Sequence, residues 1–140
     1  MRAWLFDLLS NSPSLQGFIP SNPTAQLKVF PRESMATSTY PKPFLVYGLG
    51  TVSNEDLAED DDHEAYRQFF QIWVHDEGGD YTRIDDIIHE IRLLLTNASS
   101  PANRVINVRW LETSQEFSHQ TLKTLFRYIR FQAIIGKGSL

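Results

Sequence analysis

The sequence predicts an α+β domain: an antiparallel sheet of four to five strands packed against one long central helix, with a short N-terminal helix. Three observations predict it. Two long segments, Tyr66–His75 and Lys123–Ile135, alternate apolar and mixed positions with a period of two. Between them, Tyr81–Leu95 repeats apolar residues at offsets of three and four. With 140 residues and 41% hydrophobic content, the chain holds enough apolar material for one core and is short for two. Strands grouped apart from the helices, rather than alternating with them, favour an antiparallel sheet covered by helices.

The first nine residues place Ala3, Trp4, Leu5, Leu8 and Leu9 on one helical stripe, with Arg2 and Asp7 off it. Asp7 among these apolar residues argues against a signal-peptide core and for an amphipathic helix. Asn11, Ser12, Pro13 and Ser14 stop it, and an irregular stretch with Gly17, Pro20 and Pro23 follows. Gln26–Phe30 alternates briefly and is closed by Pro31, which reads as a short strand. Residues 31–43, rich in Ser, Thr and Pro, form an exposed loop.

Pro43–Gly50 is the next strand, with Phe44 and Val46 on one face and Leu45 and Tyr47 on the other. Gly48 and Gly50 near its end point to a bulge or a close backbone approach. Tyr66–His75 follows a polar loop; Phe70, Ile72 and Val74 make an apolar face, and Phe69, Gln71, Trp73 and His75 a mixed one. One apolar and one mixed face describe a sheet covered on one side. Asp76–Gly79 is a turn and Asp80 a helix N-cap. The helix Tyr81–Leu95 gathers Ile84, Ile87, Ile88, Ile91, Leu94 and Leu95 on one face. Residues 97–103 are a linker. Val105–Glu112 then turns Ile106, Val108 and Trp110 inward against Asn107 and Arg109 outward. The last strand, Lys123–Ile135, sets Leu125, Ile129, Phe131, Ala133 and Ile135 on one side, broken by Arg127, with Phe126, Tyr128, Arg130, Gln132 and Ile134 on the other. Residues 136–140 are a tail.

Charge is unevenly spread. The net charge is -4, yet residues 55–103 hold thirteen acids against three bases, and residues 104–140 hold six bases against two acids. Seven of the acids (Glu55, Asp56, Glu59, Asp60, Asp61, Asp62 and Glu64) form one run without a base. Such a run repels itself and stays solvated, so it reads as a surface loop, either facing a basic partner or keeping DNA from adhering. It lacks the ligand spacing and the turn glycine of a calcium loop. The chain as a whole fails the basic-patch criterion for nucleic-acid binding. No apolar run approaches the roughly 20 residues of a membrane-spanning helix.

The residues carry no catalytic signature. There is no cysteine, which excludes disulfide scaffolds, thiol catalysis and zinc–cysteine sites. No HExxH, nucleophile elbow or glycine-rich phosphate loop is present. Asp85 and His89 stand i, i+4 on a helix, but Glu90 points elsewhere and the pair reads as a solvated face. His63, His75 and His119 have no partner at ligand spacing. The sequence therefore points to a binding or assembly module rather than an enzyme, with no metal and no cofactor. Three tryptophans, five tyrosines and nine phenylalanines are many for a small sheet. Those on the mixed faces, Trp73 and Tyr128, with Arg109, Arg127 and Arg130, are candidate subunit contacts. Opposed charges on the two segments suit a head-to-tail contact between copies, the kind that closes into rings.

The order of these pieces resembles the tail-completion or tail-terminator proteins of long-tailed bacteriophages. The residues that carry the resemblance are the strand Pro43–Gly48 before a polar loop, Phe70–His75 followed by a glycine turn, the helix Tyr81–Leu95 and the closing strand Thr124–Phe131. The N-terminal helix followed by Val29-Phe30-Pro31 also fits. The loop 50–65 is longer and more charged than the pattern requires. The resemblance implies a single domain over 1–140, with flexible loops near 31–43 and 50–65. It implies a structural virion protein of the tail-neck region, made in the host cytoplasm. Such a protein forms a homo-oligomeric ring, typically a hexamer, at the head-proximal end of the tail tube, ends tube polymerisation and presents the surface for head joining. Its partners would be further copies of itself, the tail tube protein and the head–tail connector proteins, with DNA passing through unbound and no membrane contact. Two other roles fit the same residues: a head-side connector or stopper of the neck, and a non-viral α+β protein-binding domain.

Overall fold

In a computed structural model, residues 2–18, 29–31, 43–53, 65–77, 81–119 and 124–136 are described. The acidic run, most of the loop 31–43, Asp80 and the tail beyond Gly136 lie outside them. Three helices, α1 (Arg2–Ser10), α2 (Pro13–Phe18) and α3 (Thr82–Leu95), pack on one face of a sheet. Its strands are β1 (Val29–Pro31), β2 (Phe44–Ser53), β3 (Ala65–Asp76), β4 (Val105–Thr113), β5 (Phe117–His119) and β6 (Thr124–Gly136), in spatial order β1-β2-β3-β6-β4, with β5 also paired to β6. Four of the five strand pairings are antiparallel, which is the α+β architecture the periodicities predict. β1 is the exception and runs parallel to β2. Parallel neighbours cannot be joined by a tight hairpin turn.

The core lies between the helices and the β2–β3–β6–β4 sheet. Phe70, Ile72 and Val74 of β3 meet Ile129, Phe131 and Ala133 of β6 and Ile84, Ile87, Ile88 and Ile91 of α3. The rings of Phe70 and Phe131 stack with centroids 5.2 Å apart at its middle. The helical cover differs from the expected one long central helix with a short N-terminal helix. Leu5 and Leu9, one turn apart on α1, and Leu15 on α2 are fully buried in the same core, so three helices share the sheet. The expected irregular stretch after residue 14 is in part α2. Pro13 begins it with a preset φ, and the Leu15 N–H donates to Ser12 Oγ at 3.3 Å.

Three further differences have local causes. The cap position of α3 is Tyr81 without a side-chain cap, and the helix start is anchored by other bonds. Tyr81 donates its hydroxyl to the Phe117 carbonyl (3.0 Å), and Arg83 forks onto the Asp76 carboxylate through Nε (2.6 Å) and Nη2 (2.5 Å). β2 continues through residues 50–53 instead of opening into a loop at Gly50. A bulge between Leu49 and Val52 lets pairing resume at Gln68 and Arg67, and the Gln68 amide donates to the Gly50 carbonyl at 3.0 Å. On β4, Ile106 is not inward but 50% exposed, while Val105 and Val108 are both buried. Val105 faces Ile135 and Asn107 faces Ile134, so Ile106 is the extra residue of a bulge that resets the inward phase.

Candidate functional site

The three helices pack on one face of the sheet, and the alternate strand positions build the second. On β3 this face holds Phe69, Gln71, Trp73 and His75, and each meets a β6 residue in register: Gln132, Arg130, Tyr128 and Phe126. β2 adds Phe44 beside His75, Val46 beside Trp73 and Gly48 beside Gln71. Cross-strand neighbours on one face touch, which builds an aromatic stripe. The His75 ring lies between Phe44 (centroids 4.8 Å, 6° apart) and Phe126 (5.0 Å, 25°). Phe126 stacks on Phe117 at 5.2 Å, Phe117 on Tyr128 at 6.2 Å, and Tyr128 tilts against Trp73 at 6.4 Å. His75 is buried, and its Nδ1 shares a 2.8 Å hydrogen bond with the Thr124 hydroxyl. That partner is 49 residues away in sequence, so no local spacing could reveal it.

The stripe gives way to a polar end. There a hollow of about 210 Å³ is lined by Gly50, Phe69, Phe70, Gln71, Tyr128 and Arg130. The Arg130 guanidinium binds Glu112 at 3.0 Å, with both side chains close to half exposed. One strand further out, Arg109 is exposed beside Gln132 and has no ion pair among the described residues. Thus Trp73, Tyr128, Arg130 and Arg109 occupy one sheet face.

Arg127 does not join them. It projects to the helical side, where it donates to the Ser114 carbonyl through Nε (3.1 Å) and Nη2 (3.0 Å) and to Asp85 Oδ1 through Nη1 (2.5 Å). Its charge ties α3 to the end of β4. The Asp85 that pattern alone sets beside His89 is engaged by this arginine, and His89 is exposed. Among the described residues no three His, Asp or Glu side chains gather as metal ligands, and no helix is long and apolar enough to cross a membrane. The seven acidic residues Glu55–Glu64 lie outside the described residues.

A second concave surface, which periodicity does not predict, lies on the helical side. Trp4, Asp7 and Leu8 of α1, Ser12 before α2, Pro13 at its start, Leu94 of α3 and Asn103 line a groove of about 570 Å³. Leu93 beside it on α3 is 64% exposed. Trp4 and Leu8 are half-buried, packed against the edge of the core.

No family model matches the chain, and no curated protein matches it. Among solved structures, a chain of the virion of a native gene transfer agent particle has the same fold, with a TM-score of 0.66 and 14% sequence identity. The likeness covers 95% of this chain and 92% of that one.

Proposed function

We propose that this chain is a structural protein of a phage-like virion, with no catalytic role, and that it acts as a tail terminator. In this reading copies assemble into a ring, six in number, on the head-proximal end of the tail tube. The ring ends tube growth and offers the surface to which the filled head joins. The observation that carries the reading is the fold likeness to a virion chain across nearly the full length of both. The succession of strand, glycine turn and helix that resembles tail terminators supports it from the sequence side. The sheet face supports it chemically, since aromatic residues beside arginines are what subunit interfaces concentrate.

The ring would contact itself, the tail tube protein below and the connector proteins above, with DNA passing through its lumen. Electron microscopy of particles produced without this protein tests the role. Tails of uncontrolled length beside unattached filled heads are the expected result. Tails of normal length with leaking or loose heads would move the protein to the head-side connector. Normal infectious particles would overturn the neck assignment.

A further inference from the structure

We infer that the Ile106 bulge, with Arg104 and Arg109 beside it, docks into the groove between α1 and α3 of a neighbouring copy. The inference rests on the ring reading and names which two surfaces of the subunit meet.

β4 makes the projecting surface. With Val105 and Val108 turned to the core, Ile106 and Arg109 project away from the helices. Ile106 is 50% exposed, and its strand is the last in the sheet order, where a second molecule can reach it. Arg104, two residues before it, and Arg109, three after it, are exposed and have no ion pair among the described residues. The backbone at Arg104 is fixed: its N–H donates to the Pro101 carbonyl at 3.1 Å, and its carbonyl accepts from the Gly136 N–H at 2.9 Å. β4 therefore presents one branched apolar side chain between two uncompensated cations.

The helices make the receiving surface. On α1, Asp7 and Leu8 follow Trp4 by three and four residues, so both are its neighbours on the helix surface, with Cβ atoms about 5–6 Å apart. Together with Leu94 they give the groove of about 570 Å³ an apolar floor beside a carboxylate. Asp7 is exposed and is the one charged residue among the described residues lining the groove; it too has no ion pair among the described residues. Asn11 and Asn103 on the rim are neutral. An isoleucine seated on Trp4 and Leu8 brings with it arginines two and three residues away, about 7–10 Å along a strand, within a side chain's length of Asp7. A guanidinium forks readily onto such a carboxylate.

One chain does not bring its own two surfaces together. Ile106 stays half exposed and does not line the groove, and it projects from the sheet on the side away from the helices. The match in apolar shape and in charge is therefore open to a second copy. Unlike surfaces that meet in this way make a heterologous contact, the type that closes into a ring when the rotation permits.

The cysteine-free chain allows a direct test. Asn11→Cys sits on the groove rim and Asn107→Cys beside Ile106, so every residue of the proposed contact is retained. The two single variants are mixed at high protein concentration under mild oxidation, with native mass spectrometry of the unoxidised wild-type chain in parallel. The expected result is a disulfide between the two variants, with neither variant cross-linking to itself. Adding Asp7→Arg to the first variant should slow the cross-link by about tenfold, as attraction becomes like-charge repulsion. Adding Arg104→Asp and Arg109→Asp to the second should then restore it, and Ile106→Ala alone should slow it again. These side chains are exposed and hold no ion pair, so the variants fold as the wild type does; circular dichroism checks it.

The other results separate this contact from the ring. Rings in the mass spectrum without a cross-link would leave the ring reading standing and overturn the docking. A cross-link that neither Asp7→Arg nor Ile106→Ala slows would be random collision and would also overturn it. Asn11→Cys linking to itself would replace it with a two-fold contact between grooves. Cross-links that grow into open ladders, with no closed ring in the mass spectrum, would support the contact and overturn the ring. Neither rings nor cross-links would count against both readings together.

Discussion

At the scale of single residues, similar-looking contacts differ widely in weight. Phe131 is fully buried and stacks on an equally buried Phe70, so truncation removes the ring from both strands and leaves a cavity between them. Phe131→Ala should cost about 3–5 kcal/mol, read as a lowered midpoint in urea unfolding. Asp76 is only 3% exposed and accepts from both Arg83 nitrogens and from the Glu77 N–H. Asp76→Ala removes charge-assisted bonds at the start of α3 and should cost about 1–3 kcal/mol, moderated because Arg83 can turn to water. The Glu112–Arg130 pair looks alike on paper, yet its side chains are 49% and 41% exposed. Glu112→Gln should change stability by less than about 1 kcal/mol, the usual worth of an exposed pair. The same unfolding series measures all three, and a Glu112 effect matching that of Asp76 would contradict this ranking.

At the scale of elements, β4 shows how one extra residue governs a strand. Because Ile106 sits in a bulge, deleting it leaves Val105 opposite Ile135 and Asn107 opposite Ile134. Thermal unfolding of the Ile106 deletion should therefore stay within about 1 kcal/mol of wild type, the strand becoming regular. Deleting Arg109 is the contrasting case. It lies in a regular stretch between Val108, opposite Ala133, and Trp110, opposite Phe131. Its loss would turn Trp110 to the open face and take the Arg92 guanidinium, 4.0 Å from the ring centroid, off its aromatic partner. The Arg109 deletion should fail to give a cooperative transition. If the two deletions behave alike, the bulge assignment is wrong. For α2, Ser12→Ala removes the cap on a six-residue helix whose Leu15 is buried, and about 0.5–1 kcal/mol should follow.

At the scale of the whole molecule, the two sheet faces divide the labour. One is committed to the core under three helices, and the other carries an aromatic stripe that ends in exposed arginines. Assembly through acidic and basic surfaces is screened by salt, since the Debye length falls from about 10 Å at 0.1 M to about 3 Å at 1 M. On the proposed ring reading, oligomers of the wild-type chain, followed by sedimentation velocity, should therefore dissociate as salt rises while the unfolding midpoint hardly moves. Oligomers that persist or strengthen in high salt would show instead that apolar burial in the groove between α1 and α3, against Trp4, Leu8 and Leu94, outweighs the charges.

The strands Ala65–Asp76 and Thr124–Gly136 and the helix Thr82–Leu95 are legible in the sequence, because each buries one face and so writes its period into the residues. The open face is half legible: alternation places Trp73, Tyr128 and Arg130 on one side, since register on β3 and β6 is unbroken. Arg127 could not be sorted from them by pattern, because its partners, Asp85 and the Ser114 carbonyl, come from other elements. Nor could Ile106, because a bulge costs one residue of phase and leaves no mark in hydrophobicity. The parallel placement of Val29–Pro31 and the burial of His75 between Phe44 and Phe126 depend on which strands are neighbours. The sequence alone determines the long elements and, where the register is unbroken, their inward faces, for burial acts residue by residue. Strand order, phase after a bulge and the partner of each charge were decided only by tertiary structure, because they depend on contacts between residues far apart in the chain.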